Sequence, residues 1–199
     1  MHARTRHSPP KFHASVRKDE KTESSLHSLT HAMTECRDAA RAGDLQELKR
    51  LHEAGAPWDF WTCVAAAEGG HLSCLRYARE HGCDWNCLVP EHAIDGGGHM
   101  DCLTYAVSNG CEINELTCSA AAEGGYLDCL RFLHENNCDW DDRTIFAALS
   151  NGHHGCLQYA FENGCPLPAG APEIERFKVS GMTEVTTAIR FDAPGEDGP

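Results

Sequence analysis

The chain has 199 residues, 41% of them hydrophobic, with 17 Lys and Arg against 30 Asp and Glu, a formal net charge of −13. An acidic balance of this size keeps a chain soluble, repels nucleic-acid phosphates and anionic lipid, and attracts basic partners. No apolar run approaches the roughly 18 residues of a membrane-spanning helix, and the charged, His-rich N-terminus lacks the apolar core of a secretory signal.

The charge is unevenly placed. Residues 1–31 carry 6 basic and 3 acidic side chains, residues 32–167 carry 8 and 21, and residues 168–199 carry 3 and 6. Residues 1–31 hold Pro9-Pro10, many Ser and His and few apolar residues, the composition of a disordered tail.

Repeats begin at Ala32. The stretch Asp59–Trp85 returns almost intact as Asn114–Trp140, with T-C-V-A-A-A-E-G-G-H-L-S-C-L-R answered by T-C-S-A-A-A-E-G-G-Y-L-D-C-L-R. Two near copies of this length imply an array whose units pack on their neighbours. A glycine that opens each second helix recurs at Gly43, Gly70, Gly98, Gly125 and Gly152, in steps of 27, 28, 27 and 27. The turn after that helix recurs as Gly55-Ala56-Pro57, Gly82-Cys83-Asp84, Gly110-Cys111-Glu112, Asn137-Cys138-Asp139 and Gly164-Cys165-Pro166. Gly or Asn there suits the left-handed conformation that ends a helix. Five units fill residues 32–167.

In each unit the first helix is short and Ala-rich, with Ala39-Ala40, Ala66-Ala67, Ala121-Ala122 and Ala147-Ala148 permitting close approach. The second is amphipathic: Leu72, Cys74, Leu75 and Ala78 repeat as Leu127, Cys129, Leu130 and Leu133. The fold class is therefore all-α, a helical-repeat solenoid.

The third unit is irregular. Repeat register places Glu91 where Cys63 and Cys118 lie, and Asp95 where Ala67 and Ala122 lie, before Gly96-Gly97-Gly98. A functional break in the array and a helix shifted by one residue both account for this. After Cys165, Pro166, Pro168 and Pro172 stop the repeats. Residues 173–191 hold enough apolar side chains for a cap on the last unit, and residues 192–199 have the composition of a disordered end.

Twelve cysteines without a signal peptide fit a reducing, intracellular compartment. Cys74, Cys102, Cys129 and Cys156 share one register, and Cys83, Cys111, Cys138 and Cys165 another, as small apolar packing residues would. Trp58, Trp85 and Trp140 recur likewise, as plugs of the turn between units. Cys83, Cys87, His81 and His92 are close enough in sequence to raise a zinc site, but no paired C-x-x-C occurs, and no metal or other cofactor is expected. No nucleophile triad, phosphate-binding glycine loop or zinc-protease motif is present, so the chain does not read as an enzyme.

Gly70-His71-Leu72-Ser73-Cys74-Leu75-Arg76-Tyr77-Ala78, Gly82-Cys83-Asp84-Trp85-Asn86 and Ala65-Ala66-Ala67-Glu68-Gly69 resemble the helices and turn of ankyrin repeats. The resemblance covers residues 32–167. The period of 27–28 is shorter than the roughly 33 of the family, so its projecting β-hairpin should be reduced to a plain loop. The family's Thr-Pro-Leu-His is replaced by Trp61-Thr62-Cys63-Val64 and Leu116-Thr117-Cys118-Ser119, with only Pro90 kept. This short variety is similar to arrays found in large DNA viruses and some protists.

The resemblance implies first helices and preceding loops that line a concave face for a protein partner, and the chain is expected to be a monomeric, intracellular scaffold or adaptor, cytoplasmic or nuclear, or in the host cell if viral. The exposed candidates are Phe60, Trp61, Val64 and Glu68; then Leu88, Val89 and His92; then Glu115, Leu116, Ser119 and Glu123; and finally Asp142, Arg143 and Phe146. Phe60 and Trp61 are the foremost anchors, since aromatic residues dominate interface hot spots. The acidic middle points to a partner with a basic surface, not to nucleic acid or membrane. A redox- or zinc-responsive protein built on the repeated cysteines is the alternative.

Overall fold

A computed structural model of the chain describes residues 20–167, with side chains from residue 29 onward. Over that span the chain forms ten helices: α1 (Glu20–Ala42), α2 (Leu45–Glu53), α3 (Phe60–Glu68), α4 (Leu72–Glu80), α5 (Leu88–Asp95), α6 (Met100–Ser108), α7 (Glu115–Glu123), α8 (Leu127–Glu135), α9 (Asp142–Ser150) and α10 (His154–Glu162). They form five antiparallel pairs in two layers. The first helices α1, α3, α5, α7 and α9 pack in sequence order, and the second helices α2, α4, α6, α8 and α10 stack outside them. No strand forms among the described residues, and the connections between units (54–59, 81–87, 109–114 and 136–141) are short loops in place of a hairpin.

The core follows from the two-layer stack. The Ala-rich helices bury Ala39, Ala40, Ala66, Ala67, Ala121, Ala122 and Ala148, which lets neighbouring first helices approach closely. The outer helices turn in the apolar stripe expected of them: Cys74, Leu75 and Ala78 are buried on α4, and Cys129, Leu130 and Leu133 on α8. Each unit leaves an apolar side open until the next covers it, so neighbour packing carries most of the stability.

Two glycine series set the geometry. The turn between the layers holds Gly43, Gly70, Gly98, Gly125 and Gly152 at φ between 68° and 74°, and the turn between units holds Gly55, Gly82, Gly110 and Gly164 at 80° to 84° with Asn137 at 59°. The first series also makes room for the next unit. A Cβ on Gly125 would lie 2.5 Å from Nδ1 of His153, and His71, His99 and Tyr126 press on Gly43, Gly70 and Gly98 in the same way.

The second cysteine register works through its hydrogens as well as its volume. Cys83, Cys111, Cys138 and Cys165 donate from Sγ to the backbone carbonyls of Asp59, Asn86, Asn114 and Asp141 at 3.0–3.1 Å, tying each loop to the one before. The tryptophans lie half-buried in the same turns. Trp58 stacks on His52 at 3.9 Å and Trp140 on His134 at 4.0 Å, while the Arg79 guanidinium covers Trp85 at 4.5 Å. Each meets a tyrosine of the following unit edge-on, at 6.0–6.2 Å from Tyr77, Tyr105 and Tyr159.

The N-terminal boundary departs from expectation. Residues 20–31, assigned to a tail, are the opening turns of α1. Leu26, Leu29, Met33, Cys36 and Ala40 fall at helical spacing through this polar stretch, a period that begins before the repeat pattern does. Residues 1–19 and the expected C-terminal cap and end lie outside the described residues.

Candidate functional site

The first helices leave one side uncovered, and its register is set by their caps. Asn114 accepts from the backbone N–H groups of Leu116 and Thr117, and Asp141 from that of Arg143. Asn86 accepts from Leu88 N at 3.1 Å in the same manner. Cys111 also donates to the carbonyl of Asn86, as its counterparts do to Asp59, Asn114 and Asp141. Asn86 is thus the structural equivalent of those three residues, and the inserted residue of unit three lies after α5. There Gly97 takes a φ of 143°. A Cβ on Gly96 would collide with the carbonyl of Glu68, so the lengthened turn fits only with glycine there.

The irregular third unit is therefore a helix shifted by one residue, which reassigns its face. Leu88 takes the place of Trp61, Leu116 and Arg143. Glu91 takes that of Val64, Ser119 and Phe146, and Asp95 that of Glu68 and Glu123. Burial follows the new register: Val89, Pro90, Ala93 and Ile94 point inward on α5 as Thr62, Cys63, Ala66 and Ala67 do on α3.

Two of the sequence candidates are corrected by this geometry. Val89 has no exposed surface, because the shift turns it into the core position held elsewhere by Thr62, Thr117 and Thr144. Val64 is only 1% exposed. It belongs to the apolar core, on a helix that Arg37–Asp59 and Arg41–Glu68 ion pairs tie to α1 and a Trp61–His92 ring contact, 6.2 Å between centroids, ties to α5. Neither valine can touch a partner.

The remaining candidates share one uncovered face. Trp61, Leu116 and Phe146, on α3, α7 and α9, are 38%, 42% and 49% exposed. Phe60 lies against Trp61, with centroids 5.0 Å apart. Leu88, His92, Glu115, Ser119 and Asp142 are half-buried, while Glu123 and Arg143 are exposed. Arg143 is held by Asp141 at 2.7 Å and Glu115 at 3.4 Å, and its hydrogen bond holds the Asp141 carboxyl below the usual carboxylate range. Sequence alignment of the repeats missed Glu91 and Asp95 as members of this face. The cap residue Asn86, one position out of step with Gly98, was the signal that could have found them.

The cysteines offer no comparable surface. All twelve are free and eleven are buried, Cys87 alone being partly accessible. Burial pushes Cys102, Cys129, Cys156 and Cys165 up to about 11 and Cys111 to about 12, so these thiols stay protonated near neutrality. His81 packs on Tyr77, 4.1 Å between centroids, whereas His92 faces Trp61, so the four residues that raised a zinc site do not converge. Among the described residues no group of three or more His, Cys, Asp and Glu side chains is placed to hold a metal ion. No helix among them is long and apolar enough to cross a membrane.

An array of paired helices with a small-residue inner layer and an uncovered inner face defines a helical-repeat solenoid. Residues 118–161 match the family model for ankyrin repeats (many copies). Among solved structures the fold is similar to the crystal structure of the human ASB11 ankyrin repeat domain, with a TM-score of 0.56 and 19% identity over 65% of this chain and 69% of that one. No curated protein matches the chain. Residues 118–161 thus carry the ankyrin repeat signature, and the fold is that of an ankyrin repeat domain. Such repeats are generally protein–protein interaction modules.

Proposed function

We propose that the protein is a non-enzymatic scaffold or adaptor that binds a partner protein through the concave face of its first helices, and that the partner presents a basic surface. The observation that carries this reading is the grouping of exposed Trp61, Leu116 and Phe146 on the same side as the exposed carboxylates Asp95 and Glu123. Large apolar side chains in a row of packed helices cost solubility unless something covers them, and aromatic anchors ringed by charge are the usual composition of an interface centre. A rigid face loses little entropy on binding. The acidic residues around it raise the encounter rate with a basic partner, an effect that falls with salt. The protein acts as a monomer inside the cell.

The test is affinity capture from a lysate of the cells that make the protein, comparing the full chain with Trp61→Ala/Leu116→Ala/Phe146→Ala at low and high salt. A partner retained by the parent, released by salt and lost from the triple variant is the expected result. Equal capture by both forms removes the face from consideration.

A further inference from the structure

The one-residue shift of α5 completes two rows that the sequence leaves broken. Leu88 enters line with Trp61 and Leu116, and Asp95 enters line with Glu68 and Glu123, on three successive first helices. From Trp61 to Glu68, and from Leu116 to Glu123, the two rows are seven residues apart, about 10 Å along each helix. Between them lie the small residues Ala65, Ser119 and Ala120 and, on α5, the half-buried Glu91 and His92, the latter edge-on to Trp61. Glu68 is paired with Arg41 at 2.6 Å, but Asp95 and Glu123 make no ion pair among the described residues. The face thus presents an apolar edge and an acidic edge, parallel to each other and both crossing the helices.

We propose that this trough takes an extended basic segment of a partner protein, in a three-residue period, with apolar side chains along Trp61, Leu88 and Leu116 and Lys or Arg along Asp95 and Glu123. The inference rests on the scaffold reading above. Charge complementarity selects the occupant: an acidic edge with two uncompensated carboxylates disfavours an acidic or neutral one. The period follows from spacing. Packed helices lie roughly 8–10 Å apart, and a polyproline-type segment advances about 9.3 Å in three residues while returning each third side chain to the same edge. A β-strand covers that distance in three residues too, but its alternation throws successive contacts to opposite edges.

The probe is a fluorescent peptide of four Leu-Lys-Pro triplets, titrated into the full chain by anisotropy at low salt. Comparators are a shuffled peptide of the same composition, a Leu-Glu-Pro version and a helical peptide with Leu and Lys at heptad spacing. The parent should bind the Leu-Lys-Pro peptide at least tenfold more tightly than any comparator. Asp95→Asn/Glu123→Gln should weaken it about five- to tenfold, the scale of two exposed ion pairs. Asp95→Lys/Glu123→Lys should reverse the preference toward the Leu-Glu-Pro peptide, with helicity by circular dichroism confirming that each variant is folded. Equal binding of the shuffled peptide, preference for the heptad helix, or an unreversed preference would overturn the proposal. Self-association of the full chain abolished by Leu116→Ser would overturn it as well, since a second copy would then be the occupant. Absence of any peptide binding defeats this inference alone if lysate capture still depends on Trp61, Leu116 and Phe146.

Discussion

Gly125→Ala and Gly110→Ala separate backbone strain from contact between units. Both glycines are left-handed, at φ 73° and 83°, so an alanine at either costs about 1–2 kcal/mol for that conformation. They differ in surroundings. Nothing lies within 4 Å of a Cβ at position 110, and Asn137 already occupies the equivalent turn, whereas a Cβ at 125 lies 2.5 Å from the His153 ring. That ring opens α10 and is half-buried, so displacing it adds a cost of overpacking, about 1–3 kcal/mol. Urea unfolding should therefore find Gly125→Ala about 1–3 kcal/mol less stable than Gly110→Ala. Adding His153→Ala to Gly125→Ala should relieve the clash, leaving the double variant more stable than the sum of the singles by a similar amount. Equal losses at 110 and 125, or strict additivity in the cycle, would show that these rings do not set the spacing of the units.

Thr62→Val should raise stability by about 1 kcal/mol, seen as a higher melting temperature, because the buried Thr62 hydroxyl has no hydrogen-bond partner. Val89 already fills the equivalent place in unit three. Ala121→Leu should lower stability by about 1–3 kcal/mol in the same assay, since Ala121 has no exposed surface against its neighbour helices. In native protein at neutral pH a thiol reagent should modify Cys87 promptly and the other eleven cysteines only on unfolding, a count readable by mass. The buried thiols also fix a pH dependence. Cys102, Cys129 and Cys156 titrate at about 11 when folded and near the ordinary thiol value when unfolded. Their stabilising contribution is complete below the unfolded value and lost as pH rises through about 11, so the melting temperature should fall across that alkaline interval.

Much of this fold was legible because the repeat writes the same physics five times. The recurrent glycines announced left-handed turns, the alanine pairs a tight inner layer, and the tryptophans a plug between units. The face was harder to read. Aligning units on glycine carried the extra residue of unit three back through α5, which put Val89 on the surface and kept Leu88 and Asp95 out of line. The cap Asn86 holds the correct register, but a cap competes poorly with a glycine ladder when repeats are counted. Val64 fails for another reason: it stands at the register of the exposed Phe146 but belongs to the buried core. The long α1 was missed because its polar opening turns carry no trace of the repeat.

The most direct test of the binding face is site-specific photocrosslinking in cells. A benzoylphenylalanine is placed at Leu116 on α7 or, as a control, at the exposed Asp128 on α8 of the outer layer. Position 116 should give a discrete adduct with a partner protein, and position 128 none. An adduct from 128 alone would place recognition on the opposite layer and contradict the proposed face.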